Sequence, residues 1–409
     1  MNNLMRICSI KCFSRMRNKA QMFSSMADDH FHTRLMHSME VYSVAKAIAE
    51  KFSSSCSIDD DLLTSIALLH DIGHTPYGHI GERTLNKICS GEMRINEDGP
   101  DFKELGCSCG FKHNINSGIL YKEYLIKSKQ DITSQQCNII DGITKHSSLF
   151  YKNDKDNDYG FSYVNCGLKK PMKFQKELPN TIEGIIVFYA DEIAQIFCDY
   201  KDLVTGGFDV SELMELDIFQ KAIHKLVKDD SNQKDFDYNS VALEVVNYMI
   251  DLFSQSFNIH SFKFENNDFQ ECLGKFDEVR SKIIRTNETI AAHDAIKESY
   301  IKVLFKHYFF NPEEALDMIE DYQNRMKRFA FQTVEEKTKF EQCKSDDIPE
   351  YINKSFSKLS DPSHEMSKRE KKDCQMVLRW FIRSVAIHIS KMTDSYADHK
   401  VRKIISNFD

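Results

Sequence analysis

The sequence predicts an all-α protein, and three observations carry that prediction. Long stretches place apolar residues three and four positions apart, alternation with a period of two is scarce, and only 7 prolines and 15 glycines punctuate the chain. The first strong pattern covers residues 41–52, where Val41, Val44, Ala45, Ile48 and Phe52 share one helical face. Residues 59–70, 114–127 and 181–202 repeat it over several turns each. Between them, 90–111 and 150–179 are rich in Gly, Asn, Asp and Lys and read as irregular insertions. From Phe208 onward helical patterning returns at 219–227, 240–257, 287–310 and 312–328. A charged, poorly periodic linker is expected over 335–372, then a last helix over 376–392. No internal repeat is visible.

A chain of 409 residues allows one large domain or two ordinary ones. Hydrophobic content of 41% with 28% charge belongs to a soluble globular composition rather than a disordered one. The net charge of −8 does not indicate nucleic-acid binding. The most apolar run, 185–190, falls far short of the roughly 18 residues a membrane span needs, so no membrane is expected. Twelve cysteines without a secretory signal suggest a reducing compartment and free thiols. Residues 1–27 carry Arg6, Lys11, Arg15, Arg17 and Lys19 and no acid. On composition this stretch resembles a mitochondrial transit peptide; the competing reading is a basic part of the folded domain that faces a polyanion.

The densest chemistry lies in ALLHDIGHTPYGHIGE, residues 67–82. The run is apolar and helical up to His70 and Asp71, after which Gly73, Pro76 and Gly78 make continued regular helix unfavourable. An imidazole and a carboxylate adjacent at a helix end suit a divalent cation of mixed nitrogen and oxygen preference. Two ligands do not make a site. His37 is one further candidate. Asp191 is the other, because Asp191, Gln195 and Asp199 fall at i, i+4 and i+8 as one polar stripe on a helix that is otherwise apolar nearly all round. Buried carboxylates are costly unless paired or bound to metal, so the stripe asks for a ligand.

At these residues the chain resembles a known family. His37, then His70 and Asp71, then Asp191 match the H…HD…D pattern of HD-domain metal-dependent phosphohydrolases. The flanking sequence is similar to the deoxyguanosinetriphosphate triphosphohydrolase-like branch. RICSIKCFSRMRNKAQMF, FHTRLMHSMEV, HDIGHTPYGHIGE, GFKHNINSGIL, DGITKHSS, TIEGIIVFYADEIA and, near the C-terminus, SKMTDSYA each look like that branch's segments, in the same order. The likeness is dense over residues 6–215 and returns near 385–400. Because the basic N-terminal segment aligns with domain sequence, the transit-peptide reading is set aside, and the residues usual upstream of it are expected to be absent.

The resemblance implies an HD-domain helical core over residues 1–215. A C-terminal helical region, 216–409, would pack on it and complete the substrate pocket or an oligomer interface. It implies one divalent metal ion, Mn²⁺ or Mg²⁺ foremost with Fe, Ni or Zn open, held by His37, His70, Asp71 and Asp191. Such an ion lowers the pKa of a bound water and neutralises charge developing on phosphorus. The implied reaction is water attack on the α-phosphorus of a deoxynucleoside triphosphate, dGTP or several dNTPs, yielding a deoxynucleoside and inorganic tripolyphosphate.

Further roles follow position by position. Arg34, one turn before His37, matches a phosphate-contacting arginine. His74 and His113 are expected on the phosphates, and His79 with Glu82, at i and i+3, as an assisting pair. Gln21 and Asp199 match contacts to the sugar 3′-hydroxyl. Where the family commonly has a tyrosine on the deoxyribose face, this chain has Gln195, so rejection of ribose is expected to be weaker or supplied by another aromatic such as Tyr189. His146 is expected to buttress the site. Cys107, Cys109 and His113 form a C-x-C-x₃-H pattern without an evident fourth ligand and read as ordinary thiols plus a pocket histidine. His293 and Asp294, a second HD pair without matching context, read as surface residues. A cytoplasmic homo-oligomer, tetramer or hexamer, is implied by resemblance alone. The alternatives are an HD-type nucleotide phosphatase or phosphodiesterase, and a non-catalytic nucleotide-sensing subunit.

Overall fold

Helix starts follow capping chemistry. Thr33 accepts a hydrogen bond from Met36 N at 3.3 Å, Asp59 from Leu62 N at 3.1 Å and Thr181 from Gly184 N at 3.2 Å. Each such cap is worth about 1 kcal/mol, and these three begin the helices that carry the site. A computed structural model describes residues 3–22, 31–97, 99–151, 158–166, 168, 172–173, 178–229, 237–329, 347–361 and 363–407. Among them run eighteen α-helices. The first nine are α1 Asn3–Cys8, α2 Lys11–Arg15, α3 Arg34–Phe52, α4 Asp60–Leu69, α5 Gly78–Ser90, α6 His113–Lys127, α7 Ser134–Thr144, α8 Phe161–Asn165 and α9 Ile182–Thr205. The rest are α10 Ser211–Met214, α11 Asp217–Asp229, α12 Tyr238–Ser256, α13 Asp268–Thr286, α14 Glu288–Phe310, α15 Leu316–Phe329, α16 Ile348–Ser360, α17 Lys368–Ser390 and α18 Asp394–Ser406. The described strand content is one small antiparallel pair, Phe257–Asn258 with Lys263–Phe264. The fold is all-α, as the periodicity predicts.

Helices α3 and α9 lie along one another at the centre, α4 and α7 close over one side, and α12 covers α9 from the other. Helix α14 bridges α5 to α17 and α18. One apolar cluster runs through both halves of the chain, from Ile7 to Ile404. No helix among the described residues is long and apolar enough to cross a membrane.

The structure adds to and corrects the sequence reading. The basic N-terminal stretch belongs to the fold: Ile7, Ile10, Phe13 and Met16 are buried in the core. Its Lys19 does not face a polyanion. The side chain is buried, and Nζ donates to the carbonyls of His74 at 2.5 Å and Ser390 at 2.6 Å. The expected linker over 335–372 contains α16 and the start of α17, while 335–346 lies outside the described residues. Helix α5 begins where Gly78 was expected to break regular helix. Gly78 has φ +57° and Tyr77 φ 64°, so the left-handed turn comes before the helix and Gly78 serves its entry. Tyr77, which lacks glycine's freedom, is held there from the C-terminal end of the chain: its N donates to Asp394 at 3.0 Å and its hydroxyl to Asp398 at 2.7 Å. Asp394 also accepts from Ala20 N at 3.2 Å. The SKMTDSYA segment thus pins the loop that carries His74.

Helix α13 escaped the periodicity reading. Its buried apolar residues are only Phe269 and Phe276, set among many charges.

Candidate functional site

His70 and Asp71 follow directly on α4, where the chain turns away. His37 comes from α3 and Asp191 from α9, so the pairing of these two helices brings the four side chains together. His70 donates Nδ1–H to its own helix at Ala67 O, 2.7 Å away. Its Nε2 is buried, has no protein hydrogen-bond partner, and faces Asp191 Oδ1 at 3.7 Å and Asp71 Oδ2 at 3.8 Å. His37 Nε2 meets Asp191 Oδ1 at 2.8 Å. A buried nitrogen without a partner costs about 1–3 kcal/mol. A nitrogen lone pair set between two carboxylates is the donor set that a divalent cation of mixed preference satisfies. The residues present fit such an ion.

Electrostatics support the charged forms of the acids. Burial pushes the Asp191 carboxyl up, but the His37 hydrogen bond, foremost, and the neighbouring imidazoles outweigh it and hold it at about 2. Burial likewise raises Asp71, yet Arg34 and the surrounding histidines hold it well below the usual carboxylate range. Arg34 is itself buried, with Nη1 on Asp71 Oδ2 at 2.5 Å and Nη2 on Gln21 O at 3.2 Å.

Beyond Asp71 stands a wall of imidazoles. His113 is gripped by Glu82, which takes its Nδ1 at 3.0 Å and its backbone N at 3.3 Å. The sequence pairs Glu82 with His79, but His79 is the more distant partner at 3.6 Å and its side chain is 51% exposed. His74 stacks on His113 with centroids 4.2 Å apart and has both ring nitrogens buried without a partner. Burial, then Arg34 and His113, pull its pKa well below the ordinary value, so the ring is neutral.

His146 is the residue that the sequence reading undervalued. It repeats the design of His70: Nδ1 sits on the carbonyl three residues back, Ile143 O, at 2.6 Å. Its Nε2 lies 3.2 Å from His113 Nε2 and 3.7 Å from Asp71 Oδ1. Burial, foremost, and the neighbouring His70 imidazole lower it to about 3. The sequence signal was present in DGITKHSS; what it lacked was the position of α7 against α4.

A cavity of about 850 Å³ adjoins this wall and includes Gln21, Tyr77, His79, Gln195, Asp199 and Arg280 in its lining. Gln195 and Asp199 thus both face one space, one and two turns beyond Asp191. Gln21 Oε1 is buried without a protein partner. Asp199 is engaged: Arg280, from the unforeseen α13, donates from Nη1 to its Oδ2 and from Nη2 to Asp277 Oδ1 at 2.8 Å. Burial raises the Asp199 carboxyl and Arg280 opposes the rise.

Tyr189 does not line this cavity. It packs into an aromatic cluster with Phe253 at 4.9 Å and Phe264 at 5.3 Å between centroids, so it is no substitute for a sugar-facing ring. His293 and Asp294 are not plain surface residues: both line the cavity, and Asp294 faces Arg83 at 3.8 Å. Cys107 and Cys109 are buried free thiols outside every candidate metal cluster among the described residues.

Sequence comparison with known proteins covers the region that carries these residues. Residues 34–196 match the HD domain family model. A deoxyguanosinetriphosphate triphosphohydrolase-like protein of Caldanaerobacter subterraneus subsp. tengcongensis is 30% identical over 261 residues, covering 64% of this chain and 62% of that protein. Proteins of the same description from Clostridium tetani and Rickettsia felis are 31% and 30% identical, covering 56% and 54% of this chain and 52% and 51% of theirs. The chain therefore spans about half to three-fifths of the length of these curated relatives.

Proposed function

We propose, from the premise that residues 34–196 are an HD domain, that this chain is a metal-dependent phosphohydrolase that cleaves deoxynucleoside triphosphates to deoxynucleoside and tripolyphosphate. The observation that carries the reading is the convergence of His37, His70, Asp71 and Asp191, with the buried His70 Nε2 turned to two carboxylates and to no protein donor. The printed names of the relatives support the nucleotide as substrate.

His37, His70, Asp71 and Asp191 would hold one divalent ion, Mn²⁺ or Mg²⁺ foremost. When bound, such an ion acidifies water and offsets phosphate charge. The remaining work falls to side chains. Arg34, fixed by Asp71 and Gln21, places a permanent cation where a triphosphate oxygen would lie beside the acids. Neutral His74 offers a hydrogen-bond donor to the same phosphates without competing as a charge. Water oxygen joins the α-phosphorus, the bond from phosphorus to O5′ breaks, and O5′ needs a proton. His113, held by Glu82 at both its N–H and Nδ1, is the group oriented to supply it, with His146 at 3.2 Å as its neighbour. His79, at the cavity edge, assists from the solvent side. Gln21, Gln195 and Asp199 then lie along the sugar, and Arg280 shares Asp199 with the 3′-hydroxyl.

Incubation of the chain with each dNTP and Mn²⁺, followed by anion-exchange analysis, tests the proposal. Tripolyphosphate and deoxynucleoside in equal amounts are expected. Orthophosphate or pyrophosphate as first product would favour the phosphatase or phosphodiesterase alternative, and no turnover with nucleotide binding retained would favour a sensing subunit.

A further inference from the structure

Behind His37, on the side away from the carboxylates, runs a chain of polar groups that the reaction above does not use. His37 Nδ1 lies 3.4 Å from Cys198 Sγ. Cys198 donates its thiol proton to Glu40 Oε2 at 2.6 Å. Glu40 Oε1 is 3.3 Å from His32 Nε2, and His32 Nδ1 is 2.7 Å from Asp202 Oδ1, which also accepts from His32 backbone N at 3.1 Å. Cys198, His32 and Asp202 are buried, and Glu40 is 21% exposed at its side chain. The residues alternate between the two central helices: His37 and Glu40 belong to α3, Cys198 and Asp202 to α9, and His32 stands just before α3.

An imidazole that binds a cation through Nε2 must carry its proton on Nδ1, and that proton needs an acceptor. The partner recorded for His37 Nδ1 is a thiol sulfur, ordinarily a weak acceptor. Here the same sulfur gives its own proton to a carboxylate, and successive hydrogen bonds polarise one another, so the sulfur becomes a better acceptor. Glu40 is in turn anchored by His32, and His32 by Asp202. We infer that Cys198, backed by Glu40, is a positioning residue that fixes the tautomer and ring orientation of His37 and so sets the affinity of the cation site. The inference rests on the proposed cation site and adds to it residues outside the H…HD…D pattern.

The same side chains admit a rival description, in which His32, Glu40 and Cys198 bind a metal of their own, since their ligand atoms lie within 4.8 Å of one another. Cys198 Sγ already has Glu40 as its acceptor and His37 Nδ1 as its donor, which argues for a hydrogen-bonded chain rather than a shared ion.

The test is Mn²⁺ titration of the folded chain, read by the electron paramagnetic resonance of free Mn²⁺, for wild type and for Cys198→Ala, Cys198→Ser, Glu40→Gln and Asp191→Ala. Cys198→Ala should weaken binding roughly 10–100-fold, as loss of an outer partner of a ligating histidine does. Cys198→Ser, whose hydroxyl can accept from His37 and donate to Glu40, should stay within about threefold of wild type. Glu40→Gln, which keeps the thiol and removes the charge behind it, should fall between and covers the case in which Cys198→Ala does not fold. Unchanged affinity in Cys198→Ala alongside loss in Asp191→Ala would overturn this inference alone. Equal weakening in the serine and alanine variants would overturn it too, as would a second Mn²⁺ or Zn²⁺ equivalent that disappears with Cys198. Retention of Mn²⁺ by Asp191→Ala would overturn the cation site itself, and the inference with it.

Discussion

The two ends of the site are built in opposite ways. At the cation end, His37, His70, Asp71 and His74 are buried, and His70 Nε2 and both ring nitrogens of His74 have no protein partner. At the cavity end, Asp199 is already paired with Arg280, and His79 stands half in solvent. One end leaves three ring nitrogens without a partner; at the other the carboxylate is already paired within the protein, and Gln21 Oε1 is left over. On the proposed reading, the difference teaches that affinity for a cation would be stored in burial, whereas a sugar would enter by sharing a carboxylate that Arg280 already holds.

The largest expected effect is at the cation end. Asp191→Ala should abolish turnover and weaken metal binding by more than the roughly 10–100-fold that loss of an outer partner costs. Metal analysis of the purified variant and its melting temperature check this, since the helical core should remain folded. A variant that keeps its metal would erase the contrast between the ends.

Gly73→Ala should come next. A Cβ there would sit 2.2 Å from Ser117 N and 2.5 Å from His113 O, both backbone atoms, so α6 must move away from the His70–His74 loop. The expected cost is about 3 kcal/mol or more in denaturant unfolding, with kcat falling because His113 moves. A fully active, equally stable variant would show that the wall tolerates displacement.

Arg280→Ala probes the cavity end. It leaves Asp199 buried and unpaired at a cost of about 3 kcal/mol, the lower end of the usual range because a carboxyl already pushed up by burial can take a proton. Urea unfolding at pH 7 and pH 5 checks it: the deficit should shrink at the lower pH.

His32 sharpens the comparison from behind the cation end. Burial lowers its pKa, but Asp202 and Glu40 outweigh burial and raise it from 6.5 to about 9. The stabilisation is therefore complete below pH 6.5 and is lost as pH rises through about 9. Relative to His32→Gln, wild type should lose about 2 kcal/mol across that interval. Parallel stability curves for the two proteins would contradict the charged pairing.

The smallest effect is expected from Gln195→Tyr. An amide can hydrogen-bond a 2′-hydroxyl, whereas a ring occupies its space, so the ratio of kcat/KM for paired dNTP and NTP should shift by about 1 kcal/mol, roughly fivefold. An unchanged ratio in an active enzyme would remove Gln195 from the sugar.

Most of the cation end was legible in the sequence because its residues sit inside strongly apolar helices. Asp191 on α9 and His70–Asp71 at the end of α4 are conspicuous against Ile, Val and Leu. Helices α3, α4, α6, α9 and α14 follow the predicted segments for the same reason, with ends differing by a few residues; α3 starts at Arg34, ahead of its apolar stripe at 41–52, and carries His37 as RLMHSMEVYSVAKAIAE suggests. The cavity end was poorly legible. Arg280 sits on α13, where two buried phenylalanines make too thin a stripe among charges to announce a helix. The place of His146 depends on how α7 meets α4, and the relay through Cys198 and Glu40 on how α3 meets α9. Those are facts of packing that no local pattern carries. Asp394 lies between these cases: its motif was visible, but its work, holding Tyr77 and Ala20 from a distant helix, was not.

Hydrolysis of the preferred dNTP in ¹⁸O-enriched water tests the account most directly, because it asks where the oxygen goes. Water attack on the α-phosphorus, beside His37, His70, Asp71 and Asp191, predicts one labelled oxygen in tripolyphosphate and none in the deoxynucleoside. Label in the deoxynucleoside, or in a released pyrophosphate or orthophosphate, would contradict it.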